Sequence, residues 1–152
     1  MSEYRKNVAA IILNQDGKIW LGERFDRMSW GFPQGGIEAG ESALDAIKRE
    51  LSEEIGTDEW DILATYPGLL TYDFPKSMTF PTWTYKGQEQ QYFLVQLQKQ
   101  AIIRLDTHPE EIEFLRYTFV SADRILKTDF GFKTNVYHTA LRYFLTQEDR
   151  IK

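Results

Sequence analysis

The chain of 152 residues contains no cysteine. Disulfides and thiolate metal sites are therefore excluded, and a reducing compartment is permitted. No apolar run approaches the roughly 20 residues that a membrane-spanning helix needs. The N-terminal MSEYRKNVAA lacks the apolar core of a secretion signal. The expectation is a cytoplasmic protein with no membrane partner. An excess of positive charge is missing as well, since the formal net charge is −5. A protein that tracks a long nucleic-acid backbone must replace many condensed counterions and is usually basic. A nucleic-acid partner would have to be gripped locally, at an end. Surplus carboxylate suits a divalent cation, which wants oxygen ligands. Internal repeats, low-complexity tracts and linker-like composition are absent, so residues 1–152 read as one domain.

Hydrophobic residues make up 42% and charged residues 27%, the composition of a folded globular chain. Val8 to Leu13 and Ile19 to Leu21 flank Asn14-Gln15-Asp16-Gly17, which predicts a β-hairpin. Phe25 to Gly40 is glycine-rich and polar, and reads as a loop with at most a short extended piece. Ser42 is placed to cap a helix that runs to about Ile55 and closes at Gly56. Leu44, Ile47, Leu51 and Ile55 recur within it at helical spacing and predict its buried stripe. Strands are expected from Ile62 to Tyr72, with a turn at Pro67-Gly68, from Tyr92 to Leu97 and from Phe114 to Val120. Phe74 to Lys86, with Pro75 and Pro81, reads as a long loop. Ser121 starts a short helix. Lys133 to Leu145 closes the chain as a helix with Val136, Ala140, Leu141 and Phe144 on one face. Strands on either side of a helix, with a closing helix, predict a mixed α/β sandwich.

The chemistry is concentrated between Gly35 and Gly56. Glu50, Glu53 and Glu54 are three and four residues apart, so they project from one side of the helix, away from the Leu44/Ile47/Leu51 stripe. Like charges at this spacing repel by a few tenths of a kcal/mol per pair. A bound divalent cation turns that repulsion into coordination. Arg49 stands four residues before Glu53 and can hold its carboxylate. Glu41, ahead of the helix, can pair with Arg49 and steady the ligands from behind. Gly35, Gly36 and Gly40 let backbone approach a ligand closely.

This segment resembles the signature of the Nudix hydrolase family, G-x5-E-x7-R-E-U-x-E-E-x-G-U with U a bulky aliphatic. Gly35, Glu41, Arg49, Glu50, Leu51, Glu53, Glu54 and Gly56 fit, and Thr57 departs at the last position. With average residue usage, such a match arises by chance on the order of once in 10⁶–10⁷ chains of this length. The resemblance implies an α/β/α sandwich with a mixed sheet, classed α/β (α+β). It implies hydrolysis of a nucleoside diphosphate linked to another group, with Mg²⁺ or Mn²⁺ as cofactor. Glu50 and Glu54 would be the principal ligands. Glu53 would be a ligand or the group that orients water, and a carbonyl at Gln34 or Gly35 would complete the shell. Glu41 and Arg49 would be the supporting pair. A further catalytic carboxylate outside the signature is expected at Glu113, in the run Glu110-Glu111-Ile112-Glu113-Phe114.

The flanks bear on the substrate. Tyr4 to Val8, Trp30 to Gly36, Tyr72 to Pro75, Gly87 to Leu94, and Phe132-Lys133 with Val136-Tyr137 resemble the subgroup of bacterial RNA pyrophosphohydrolases and dinucleoside polyphosphate hydrolases. Lys6 and Gly31 depart from that pattern, where proline and glutamine are usual. The resemblance implies a 5′-triphosphate RNA or a nucleoside polyphosphate as the partner. Arg5, Arg24 and Lys133 would contact phosphates, because a guanidinium fork meets phosphate oxygens in pairs. Phe132 would stack on a base, with Tyr72 and Tyr137 as further substrate contacts. Diadenosine tetraphosphate or a free nucleoside triphosphate such as dGTP could use the same parts. A non-catalytic nucleotide or RNA binder is the reading from another class. It is disfavoured by the intact carboxylates.

Overall fold

The computed structural model describes residues 3–78 and 84–152. Residues 79–83, the middle of the loop expected from Phe74 to Lys86, lie outside the described residues. The strands are β1 (Tyr4–Leu13), β2 (Ile19–Arg24), β3 (Trp30–Gly31), β4 (Gln34–Gly36), β5 (Trp60–Thr65), β6 (Leu70–Asp73), β7 (Gly87–Leu97) and β8 (Phe114–Val120). The α-helices are α1 (Ala43–Glu54), α2 (Ala122–Leu126) and α3 (Thr134–Gln147). They build one mixed sheet sandwiched between helices, the expected class. No helix among the described residues is long and apolar enough to cross a membrane.

The spine of the sheet is a ten-residue parallel pairing of β1 with β7, from Tyr4 opposite Gly87 to Leu13 opposite Gln96. β1 is apolar on both sides, as a central strand covered on both faces must be. Val8, Ala10 and Ile12 point to the α1 side, where they meet Ile47, Leu51 and Ile55. Ala9, Ile11 and Leu13 point to the other side, under Val136, Tyr137, Ala140, Leu141 and Phe144 of α3. β5 and β6 both pair antiparallel with β7, and β8 pairs antiparallel with β2. The expected hairpin is present, and the Gly17 amide closes its turn on the Asn14 carbonyl at 3.1 Å. β1 and β2 share only the Leu13–Ile19 pair. They diverge because β4 takes the place beside β1, with Gly36, Gly35 and Gln34 opposite Asn7, Val8 and Ala9.

Two expectations for α1 need correcting. Leu44 is 42% exposed and is not part of the buried stripe, which is Ala46, Ile47, Leu51 and Ile55. Leu44 sits in the first turn, where it is Ala43 that packs on the core. Glu54 does not project away from the stripe. It lies seven residues beyond Ile47, close to two full turns, and is 5% exposed. The helix ends are as expected. The Ser42 hydroxyl accepts the Asp45 amide at 3.1 Å, and Gly56 follows the last turn at φ 68°. Thr57 is buried, and its hydroxyl accepts the Glu59 amide at 3.1 Å, so the departure from an aliphatic serves the turn after the helix.

A carboxylate helix faced by cations

Arg49 is the hub of the signature. Its Nε and Nη2 bind the two oxygens of Glu41 at 2.8 and 2.9 Å, a bidentate pairing. Nη2 also donates to the Gly36 carbonyl at 2.9 Å, which ties α1 to β4. Nη1 donates to Glu50 Oε1 at 2.8 Å and lies 3.6 Å from Glu53 Oε2. Glu41 accepts the Glu38 amide too. Arg49 and that amide hold the Glu41 carboxyl down to about 2, and the Arg49 pKa is itself raised by Glu41. The expected Glu41–Arg49 pair is therefore present, and Arg49 grips Glu50 more closely than Glu53.

Glu50 and Glu54 sit in the opposite condition. Burial pushes Glu50 up to about 7 against the pull of Arg49, with Glu53 and Glu113 adding to the rise. Burial raises Glu54 further, with Glu50 and Glu113 adding to it, while Arg24 and the Gln34 main-chain N–H partly offset it. Glu54 Oε2 is buried without a hydrogen-bond partner. A Cβ on Gly35 would overlap the Glu50 carboxylate, and one on Gly36 would overlap the Arg5 guanidinium. The two glycines are what let β4 lie between these side chains.

Among the described residues no three acidic groups already converge on one point as a ready coordination shell. Arg49 draws Glu50 and Glu53 onto its own fork. The donor set nevertheless fits a hard divalent cation. It is all oxygen, it includes an unpartnered buried carboxylate oxygen, and its mutual repulsion is what such a cation relieves.

The other expected residues come from elsewhere in the chain, Arg5 from β1, Arg24 from β2, Tyr72 from β6, Tyr137 from α3, and Glu113, Phe132 and Lys133 from the turns before β8 and α3. Glu113 stands just before β8, where Arg24, at the end of β2, reaches its Oε2 at 3.3 Å. The Phe25 amide binds the Glu113 carbonyl at 2.9 Å. Glu110 and Glu111 form an exposed 3-10 turn with Pro109. It is Glu113 that lies within the field of Glu50 and Glu54. Lys133 is half-buried. Its ammonium lies 5.9 Å from both the Tyr72 and Phe132 rings. Burial, and then Arg24, pull its pKa down to about 8, against Glu54, Asp26 and Glu113. Phe132 is 37% exposed, so it is not core, and its ring is 5.5 Å from Tyr72. Tyr72 is itself largely buried, and burial pushes its hydroxyl up to about 12.

Tyr137 is the correction. It is 1% exposed, packs on Phe32 at 4.2 Å, and its hydroxyl accepts the Phe32 amide at 3.2 Å. It props the Trp30–Pro33 segment from beneath, with its side chain buried rather than facing the open space beside Phe132. A Cβ on Gly31 would meet the Tyr137 hydroxyl at 2.6 Å, so the Gly31 departure makes room for that prop. A cluster of amides, the buried Asn7, Gln88 and Gln90 with the half-buried Gln34, was not anticipated as part of the site. Its only sequence signal was the run of glutamines inside Gly87 to Leu94, polar residues in what is otherwise a central strand.

Clustered carboxylates on a helix, a glycine-tight strand against them and cations beside an aromatic ring define a hydrolase of phosphoanhydride bonds. The NUDIX domain model matches residues 3–140, and the chain belongs to the Nudix family. It is 48% identical over 147 residues to the RNA pyrophosphohydrolase of Campylobacter jejuni subsp. doylei, covering 93% of this chain and 92% of that protein. It is 44% identical over 147 residues to the RNA pyrophosphohydrolase of Helicobacter pylori, covering 93% and 94%. In fold it is similar to the Escherichia coli dihydroneopterin triphosphate pyrophosphohydrolase, with a TM-score of 0.71 at 18% identity over 95% of this chain and 99% of that one. A Caenorhabditis elegans Ap4A hydrolase complex gives 0.69 at 16% identity over 95% and 99%.

Proposed function

We propose that this chain, acting as a single cytoplasmic domain, removes pyrophosphate from the 5′-triphosphate end of RNA and leaves a 5′-monophosphate end. The observation that carries this reading is the pairing of two half-sites. The carboxylates of α1 stand on one side, and Arg24, Lys133, Tyr72 and the half-exposed Phe132 stand on the other. A cavity of about 630 Å³ opens beside Phe132, lined also by Ser29, Trp30 and Phe130, and gives a terminal nucleotide room next to a stacking ring. The similarity to two bacterial RNA pyrophosphohydrolases over nearly the whole chain supports the same substrate.

Glu50, Glu53, Glu54 and the Gly35 carbonyl would hold Mg²⁺ or Mn²⁺. What such a cation supplies there when bound is neutralisation of phosphate charge and a more acidic water. Arg5, Arg24 and Lys133 bind the phosphate oxygens and spread the charge that develops on them. Glu53, the most exposed of the three helix carboxylates and held by Arg49 less closely than Glu50, takes the proton of the attacking water, with Glu113 on the opposite wall. The α–β anhydride bond breaks, pyrophosphate leaves, and the RNA keeps its first phosphate. Arg49 and Glu41 touch no reacting atom and hold Glu50 and β4 in place.

Glu53→Gln or Glu54→Gln is expected to lower kcat by roughly 10²–10⁴-fold while the far-UV spectrum and melting behaviour stay native. Normal rates at saturating Mg²⁺ in either variant would contradict the assignment.

A further inference from the structure

The glutamine at the centre of the sheet is the least expected residue in the fold. Gln90 is completely buried in the middle of β7. An amide in that place is costly unless partnered, and a leucine would fold more cheaply. Every part of the Gln90 amide is engaged. Its Nε2 donates to Gln34 Oε1 at 2.7 Å and to Asn7 Oδ1 at 2.9 Å, and its Oε1 accepts the Tyr92 hydroxyl at 2.9 Å. By contrast, Asn7 Nδ2 and Gln88 Oε1 are buried without partners. Gln90 is thus the junction of the cluster.

The register explains how the junction reaches the site. Asn7 is opposite both Gln90 and Gly36, while Ala9 is opposite both Tyr92 and Gln34. Ala9 lies between Gln34 and Tyr92, and its small side chain leaves the space through which the Gln34 amide meets Gln90. Gln34 then faces two ways. Its side-chain Oε1 is held inside the sheet by Gln90, and its backbone runs on into Gly35, against which the Glu50 carboxylate packs, and Gly36, whose carbonyl accepts Arg49 Nη2 at 2.9 Å.

We propose that Gln90 is a positioning residue for the reaction, which locks Gln34 so that β4 meets the carboxylate helix in one position. A buried amide whose donor and acceptor are both engaged, as in Gln90, is fixed in one orientation where a free one would sample several. Small displacements of reacting groups cost large factors in rate. The proposal rests on the reading of the site given above.

A double-mutant cycle separates positioning from a merely structural role. Gln90→Leu is expected to lower kcat/KM on 5′-triphosphate RNA at least about 10-fold in the wild-type background, and less than about 2-fold in a Gln34→Ala background. Coupled residues are non-additive in this way, whereas independent ones add. Equal losses in both backgrounds, or no loss in either, would overturn the proposal. Should Gln90→Leu fail to fold, Tyr92→Phe is read in the same two backgrounds. It removes only the hydroxyl that holds Gln90 Oε1, and a loss in wild type that vanishes in Gln34→Ala is expected. Independently of any substrate, the Gln34 side-chain amide protons should exchange slowly with solvent by NMR in the wild type and at least about 10-fold faster in Gln90→Leu, or in Tyr92→Phe if that variant replaces it. Unchanged exchange would overturn the proposal even with activity lost. A wild-type chain inactive on triphosphate RNA would instead overturn the substrate reading, and the exchange measurement would still decide this one.

Discussion

Arg49 engages Glu41, Glu50 and the Gly36 carbonyl with one planar group, and a lysine has no fork with which to do so. The residue-scale logic of the site is this kind of crowding. Gly35 is required because its missing Cβ is where the Glu50 carboxylate lies. Gly35→Ala is therefore expected to displace Glu50, lower kcat at least about 100-fold, and cost about 1–3 kcal/mol of stability as an overpacked site. Paired kinetics and denaturant titrations check both. Lys133 gives a pH prediction. Its folded pKa of about 8 lies below the ordinary lysine value of 10.5, so the folded chain loses this proton first. As pH rises from about 8 toward 10.5, stability gains from Lys133 while its phosphate-binding charge disappears. The kcat/KM profile should fall above about pH 8, and in Lys133→Arg that limb should move beyond the accessible range. An unchanged limb in Lys133→Arg would assign it to another group.

At the scale of elements, what punctuates the chain was legible and what is hidden by partners was not. Asp16-Gly17, Ser42 and Gly56 marked the hairpin and the ends of α1, because turns and caps are chosen by local chemistry. Ser42→Ala removes the hydroxyl that accepts the Asp45 amide and should cost about 1 kcal/mol, read from chemical denaturation, with kcat little changed. β8 was legible from its aromatic and β-branched run. β4 was not, because Gln-Gly-Gly has no strand preference of its own and is a strand only by pairing with β1. The first half of β7 was missed for a related reason. Gln88 and Gln90 are buried through amide partners, which hydropathy cannot signal. The site divides the same way. Spacing along α1 brought its carboxylates into view, but periodicity placed Glu54 on the wrong side, and the resemblance of the flanks did not separate Tyr137, a core prop, from Phe132, a half-exposed ring.

Across the whole molecule, the net charge of −5 and the small set of cations fit a substrate held at one end. Few phosphates need be touched if a single triphosphate is gripped, as proposed, between Arg5, Arg24 and Lys133, and the binding of such an end should depend only mildly on salt. The fold serves this by bringing β1, β2, β6, α1 and the turn before α3 to one end of the mixed sheet. The same parts could hold a dinucleoside polyphosphate, so substrate choice is the central claim. It is tested most directly by competition, with a short 5′-triphosphate RNA and diadenosine tetraphosphate mixed in equal amounts with the chain and Mg²⁺. The account predicts that pyrophosphate release from the RNA has the higher kcat/KM, and faster cleavage of diadenosine tetraphosphate would contradict it.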